Sequence, residues 1–189
     1  MQLYELGQKI TDKLIEYWWQ FSSFDSWQFW VTLAMLVVPL IVLYFLIDRS
    51  QVFKIGFFGL CVHIVTTYAD LTGWRLGYWD YPYFAIPLFP VALGLDSSLI
   101  PVVFMLLYQW VTEKNRNFYL YAVILAALFA FGLKPLMNTL DLFRLHKGLS
   151  FLELFLYVYV PIIFLSKWLF NTFVFLENQK GKYNHPGNE

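Results

Sequence analysis

The sequence predicts an all-α, polytopic membrane protein, with five transmembrane helices preceded by an N-terminal interfacial amphipathic helix. Three observations carry that prediction. The chain is 59% hydrophobic and only 14% charged, against roughly 45–50% apolar and 25% charged in an ordinary soluble domain. Five separate windows supply the ~20 apolar residues that a helix needs to cross about 30 Å of hydrocarbon while satisfying its own backbone hydrogen bonds. The first 26 residues instead place apolar side chains at helical spacing with charges between them.

In residues 1–26, Leu3, Leu6, Ile10, Leu14, Tyr17, Trp18 and Phe21 share one face, and Glu5, Lys9, Asp12, Lys13 and Glu16 fill the other. This spacing predicts a helix lying in the interface, with Trp18 and Trp19 at headgroup level. A cleavable signal peptide is not expected, because the leading residues are not basic and no apolar run precedes a small-residue cleavage site. The transmembrane bundle is expected over residues 27–176. Its first span runs from about Trp27 to Ile47, is closed by Asp48 and Arg49, and contains Pro39, which predicts a kink. The second runs from about Phe53 to Leu71. The connector from Thr72 to Pro90 mixes Trp74, Tyr78, Trp79, Tyr81, Tyr83 and Phe84 with three prolines, which predicts an irregular aromatic segment at the interface. The third span, about Val91 to Val111, carries Pro101 and ends in Tyr108-Gln109-Trp110, where Gln109 can bond a neighbouring helix. The fourth is expected from about Phe118 to Met137. The fifth is expected from about Leu152 to Phe175, with Pro161 inside it. Residues 177–189 are polar and predict a mobile tail. No internal repeat of the transporter type is present.

Charge and cysteine content exclude several functions. Thirteen basic and thirteen acidic residues leave no net charge, so there is no electrostatic footprint for nucleic acid. The lone Cys61 allows neither an intramolecular disulfide nor a cysteine zinc site. Orientation follows from Lys and Arg outside the spans. Five lie on the N-terminal side and six on the other, and the six sit in very short connectors and near span ends, where the positive-inside bias counts most. The expectation is a multi-pass protein of the cell membrane with its N-terminus outside and its C-terminus cytoplasmic.

Ionisable residues inside spans cost about 2.5–3.5 kcal/mol on insertion scales, so they face the bundle interior and find partners. On the second span His63, Thr66, Thr67 and Asp70 share a helical face. On the fourth, Lys134, Asn138 and Asp141 do the same, while Asp96 opens the third span and Glu153 the fifth. Two readings stay open. Either these groups line a hydrophilic cavity that binds or passes a proton, metal ion or small polar solute, or Lys134 pairs with Asp96 or Asp70 and the network only holds helices together. The connector aromatics Trp74, Trp79, Tyr81 and Tyr83 suit a ligand stack or, more commonly, an interfacial girdle. The metal signal is weak, with no paired histidine or carboxylate spacing. No nucleophile motif and no phosphate loop occur, so no catalytic residue and no cofactor are expected.

From Asp96 onward the order of features resembles a family of small, uncharacterised multi-pass membrane proteins of spore-forming Gram-positive bacteria. The resembling residues are Asp96, Pro101, Tyr108 and Gln109, then Lys134-Pro135-Leu136, then Ser150, Phe151, Lys167 and Trp168. The likeness covers about half the chain. Members often carry Glu where this chain has Lys134, so no role transfers to that position. The resemblance implies a bacterial cell-membrane address in a sporulating organism and no established activity. The sequence therefore predicts an integral membrane protein that binds a partner protein, a second copy of itself or a lipid of the bilayer. A small transporter or channel subunit and a membrane enzyme acting on a lipid-like substrate are the alternatives.

Overall fold

The computed structural model describes residues 2–89 and 92–183, with side chains up to residue 179. The chain is helical almost throughout. Helix α1 is Gln2–Tyr17, and a wide π-helical turn at Trp18–Ser22 follows it. Helices long and apolar enough to cross a membrane follow as α2 (Trp27–Leu46), α3 (Val52–Arg75), α4 (Leu95–Glu113), α5 (Phe118–Thr139) and α6 (Phe151–Gln179, with helix continuing to Tyr183). The last helix thus runs through the first residues of the segment expected as a tail, and residues 184–189 lie outside the described residues. So do Pro90 and Val91, where the connector was expected to end and the third span to begin.

Helix starts follow from local side chains. Ser26 Oγ accepts from the Phe29 N–H at 3.3 Å and Asn117 Oδ1 from the Leu120 N–H at 3.3 Å, each satisfying a backbone donor that the first helical turn leaves free. Gln109 closes the opposite end of α2: its Oε1 accepts from the Asp48 N–H and its Nε2 donates to the Leu46 carbonyl.

Three spans widen where proline dictates. In α4, α5 and α6 the residue just before Pro101, Pro135 or Pro161 donates its N–H to the carbonyl five residues back: Ile100 to Leu95, Lys134 to Phe129, Val160 to Phe155. Proline has no N–H, and its ring crowds the carbonyl four residues earlier, here Ser97, Phe131 and Tyr157. Each of these sits at the centre of its widened turn, Leu95–Leu99, Phe129–Leu133 or Phe155–Tyr159. An extra residue per turn removes the clash and rotates the side chains on either side of it.

Helix α3 is the centre of the bundle, packed against both α4 and α6. At the end holding the short Ile47–Gln51 and Lys114–Asn117 links, Phe58, Tyr108, Phe118 and Phe170 form an aromatic cluster, with ring centroids 4.7–5.5 Å apart from Phe58. Helix α2 is peripheral and approaches the start of α4 at Gly94. A side chain on Gly94 would lie 2.7 Å from the Thr32 carbonyl of α2. At the other end the connector pairs Trp79–Asp80 (β1) with Arg144–Leu145 (β2) in a two-residue antiparallel ribbon. That ribbon draws the connector over the bundle end.

Helix α1 has no fully buried residue; the C-terminal end of its apolar face, Leu14 and Tyr17, packs against Phe84 and its neighbours, while Leu3, Leu6 and Ile10 are exposed. Trp18, expected at headgroup level, is instead 6% exposed. It packs against Phe29 and Phe84 and donates its indole N–H to the Phe84 carbonyl at 2.9 Å. Ser22 bonds the same residue twice, accepting from the Phe84 N–H and donating to its carbonyl. These bonds tie the α1–α2 corner to the connector, whereas Trp19 is exposed.

Candidate functional site

The span and span-end residues expected to form a site divide into three sets. Asp70, Asp96 and Lys134 are buried together beneath the connector, at 7%, 4% and 5% exposure. The widened turns of α4, α5 and α6 aim Asp96, Lys134 and Tyr159 inward, and regular helix in α3 places Thr66 and Asp70 one turn apart on the same face. Together with Trp79, Ile100, Leu154, Val158 and Ile162 they enclose a chamber of about 20 Å³. That is room for one water molecule, not a path through the bundle.

The connector closes the chamber. Trp79 Nε1 donates to Asp70 Oδ1 at 2.9 Å, and the Tyr81 hydroxyl donates to the same oxygen at 2.5 Å, the length of a charge-assisted bond. Lys134 Nζ donates to the Tyr81 hydroxyl at 2.9 Å and stands 3.8 Å from the centroid of the Phe143 ring, a cation–π placement. Burial and the neighbouring Asp70 carboxylate push the Tyr81 hydroxyl well above the usual tyrosine range, so it remains a donor. Among the described residues no Lys or Arg lies within 4 Å of either buried carboxylate. The direct pairing of Lys134 with Asp96 or Asp70, one of the two readings left open by the sequence, is replaced by a chain, Lys134 to Tyr81 to Asp70. Trp79 and Tyr81 are not an interfacial girdle: both are 5% exposed, because their polar edges meet a carboxylate that is otherwise costly to bury. Trp74 and Tyr83 are half-buried against the same core. Gly73 makes this docking possible, since a side chain there would occupy the space of the Trp79 ring.

The second set lies beside the chamber. His63 Nδ1 is 2.8 Å from the Asp96 backbone carbonyl and 3.3 Å from Thr67 Oγ1. A carbonyl only accepts, so Nδ1 carries a hydrogen. Both residues are half-buried; His63 holds the backbone of Asp96 rather than its carboxyl, and Thr67 contacts His63.

The third set does not join the cluster. Helix α5 ends at Thr139, so Asp141 leaves the face shared by Lys134. It adopts a left-handed backbone (φ 58°) and bonds Arg144 through both oxygens at 2.7 Å. That guanidinium holds the Asp141 carboxyl below the usual carboxylate range. Asn138 is exposed. Glu153 caps α6: Oε2 accepts from the Ser150 N–H and hydroxyl at 2.8 Å each, while Ser150 Oγ accepts from the Glu153 N–H. The spacing Ser150-x-x-Glu153 is a capping-box signature readable in sequence. Thr66, expected on the face of His63 and Asp70, lines the chamber, whereas the polar chamber residue that sequence reasoning missed is Tyr159, whose sequence cue is Pro161 two residues on.

A second feature adjoins the chamber. Between α3 and α6 a groove of about 870 Å³ opens sideways. Its apolar walls include Val65, Ala69, Pro161 and Leu165, and its end at the connector carries Thr72, Tyr78 and Lys147. Trp79, Val158 and Ile162 line both spaces and form the wall between them.

No protein-family model, curated protein or solved structure matches this chain. The five apolar helices define it as an integral, multi-pass membrane protein.

Proposed function

We propose that this protein binds a lipid or lipid-like amphiphile in the lateral groove between α3 and α6, acting as a binding protein within a bacterial cell membrane, N-terminus outside. The carrying observation is the groove itself. Its volume of about 870 Å³ falls in the range of small-molecule sites, roughly 300–1,000 Å³. It lies along two membrane-spanning helices, where the surrounding solvent is acyl chain. Apolar side chains dominate its length, Tyr68 and Tyr157 add hydroxyl-bearing rings, and Thr72, Tyr78, Lys147 and the Glu153 carboxylate gather at the connector end. There Lys147 Nζ stands 5.1 Å from the Tyr78 ring centroid. An acyl chain suits the walls, and a headgroup with acceptor oxygens suits Thr72 and Lys147. Helix α1, with Leu3, Leu6 and Ile10 exposed on its apolar face, would then rest in the same headgroup layer.

The test is retention of lipid by the purified full chain in detergent, read by native mass spectrometry. Ala69→Trp fills the groove and is expected to abolish the bound-lipid mass, whereas Tyr44→Trp on the exposed face of α2 leaves it. Equal lipid retention in both variants would sink the proposal. Leu165→Trp, from the opposite wall, repeats the test should Ala69→Trp fold poorly.

A further inference from the structure

The buried cluster holds two carboxyl groups and one ammonium in a chamber sized for a single water molecule. With both carboxylates ionised it would carry a net negative charge, enclosed among Ile100, Leu154, Val158 and Ile162. A buried charge without partners costs several kcal/mol. Hydrogen bonding divides the two carboxyls sharply. Asp70 Oδ1 receives two donors, and the Lys134 ammonium stands behind one of them. The Asp96 side chain receives no hydrogen bond from any described residue, and its Oδ2 is wholly buried. Asp70 Oδ2 and Thr66 Oγ1 are likewise buried and unpartnered. The Asp96 and Asp70 side chains line the same chamber of about 20 Å³. The groups facing Asp96 are Asp70 and Thr66 from α3, Lys134 from α5, Tyr159 from α6 and Trp79 from the connector. Tyr81 stands behind Asp70, and His63 is occupied by the Asp96 backbone carbonyl.

We propose that Asp70 and Asp96 form a binding site for one proton, carried by Asp96 as a carboxylic acid while Asp70 stays ionised opposite Lys134. One proton removes the excess charge, and the acid O–H brings a donor into a space where Asp70 Oδ2, which can only accept, is otherwise unpartnered. The chamber is then electrically neutral: one acid, one carboxylate, one ammonium. A sodium ion in the same place would neutralise the charge equally but would leave both carboxylates ionised, and this distinguishes the two cations.

Infrared spectroscopy of the full chain in detergent at neutral pH reads this directly, since a protonated carboxyl has its own C=O stretch, which moves on deuteration. Carboxyl-labelled aspartate assigns that stretch to aspartate in the unmutated protein. The wild-type protein is expected to show one such group. Asp96→Asn, a neutral near-isostere of the acid, is expected to lose the band with the fold intact. Asp70→Asn is expected to lose it too, because Asp96 then becomes the only counter-ion of Lys134. Lys134→Met is expected to double the band, both acids then being neutral. Absence of an aspartic-acid band in wild type, its persistence in Asp96→Asn, or its loss on replacing choline by sodium would each overturn the proposal. The wild-type measurement decides by itself should a variant not fold. None of these readouts depends on lipid, so failure here leaves the groove untouched.

Discussion

Tyr81 joins two charges that never touch, and its hydroxyl is the most exposed point of that arrangement to substitution. Tyr81→Phe leaves Lys134 without its hydrogen-bond acceptor and Asp70 with Trp79 as its sole partner. Stripping one partner from a buried charged group costs about 1–3 kcal/mol. Thermal unfolding in detergent should therefore place Tyr81→Phe well below wild type. Tyr83→Phe, at a half-buried ring whose hydroxyl makes no hydrogen bond among the described residues, should stay within about 0.5 kcal/mol. The pair Asp141–Arg144 behaves differently because it is half-exposed. Its carboxyl is held below the usual range in the fold. Its contribution is therefore complete above the unfolded value near ~4 and is lost as pH falls through the lowered folded value. An exposed pair contributes about 1 kcal/mol at most. The difference in unfolding temperature between wild type and Asp141→Asn should be small at neutral pH, constant down to about pH 5, and gone in strong acid.

The spans were legible because lipid imposes one demand, an uninterrupted apolar helix, and composition alone answers it. What composition could not give was the phase of the side chains. Counting Lys134, Asn138 and Asp141 as one face assumes regular helix to residue 141, yet α5 ends at Thr139 and its preceding turn is widened. The same widening in α4 and α6 turns Asp96 and Tyr159 inward, and only the prolines hint at it. The ribbon of Trp79–Asp80 with Arg144–Leu145 is too short to leave a periodic signal, so aromatics that belong under it read as interfacial. The widened turns make a prediction at this scale. Deleting Gly132 from Phe129–Leu133, where a side chain would meet nothing, returns that turn toward ordinary helix and brings back only the local crowding by the Pro135 ring. Deleting Ile124 from regular α5 rotates the preceding half of the helix by about 100°, one residue of a 3.6-residue turn. Monodisperse yield after detergent extraction should fall further for the Ile124 deletion. The opposite ranking would mean that the wide turn, not the proline, holds the fold.

Across the whole molecule the connector is the piece that converts five packed helices into a site. Without a hydrophobic force between helices in lipid, packing and interhelical hydrogen bonds must hold the bundle. Here they converge on one end, with Trp18 and Ser22 gripping Phe84 and Asp70 gripping Trp79 and Tyr81. Trp79 belongs to both spaces at once: its indole N–H faces the chamber, and its ring walls the groove. Occupying the groove therefore braces the wall that keeps Asp70 partnered, and a ligand that binds only the folded state stabilises it by RT ln(1 + [L]/Kd). Added lipid should raise the unfolding temperature of wild type and leave Ala69→Trp unchanged. Trp79→Phe keeps a ring in the wall but removes the indole donor, so it should start lower than wild type and still respond to lipid. Gly73→Ala displaces the ring itself and should lose both the starting stability and the response. If Gly73→Ala were destabilised yet kept the full lipid response, groove and chamber would be neighbours without a common wall, and the connector would serve the polar cluster alone.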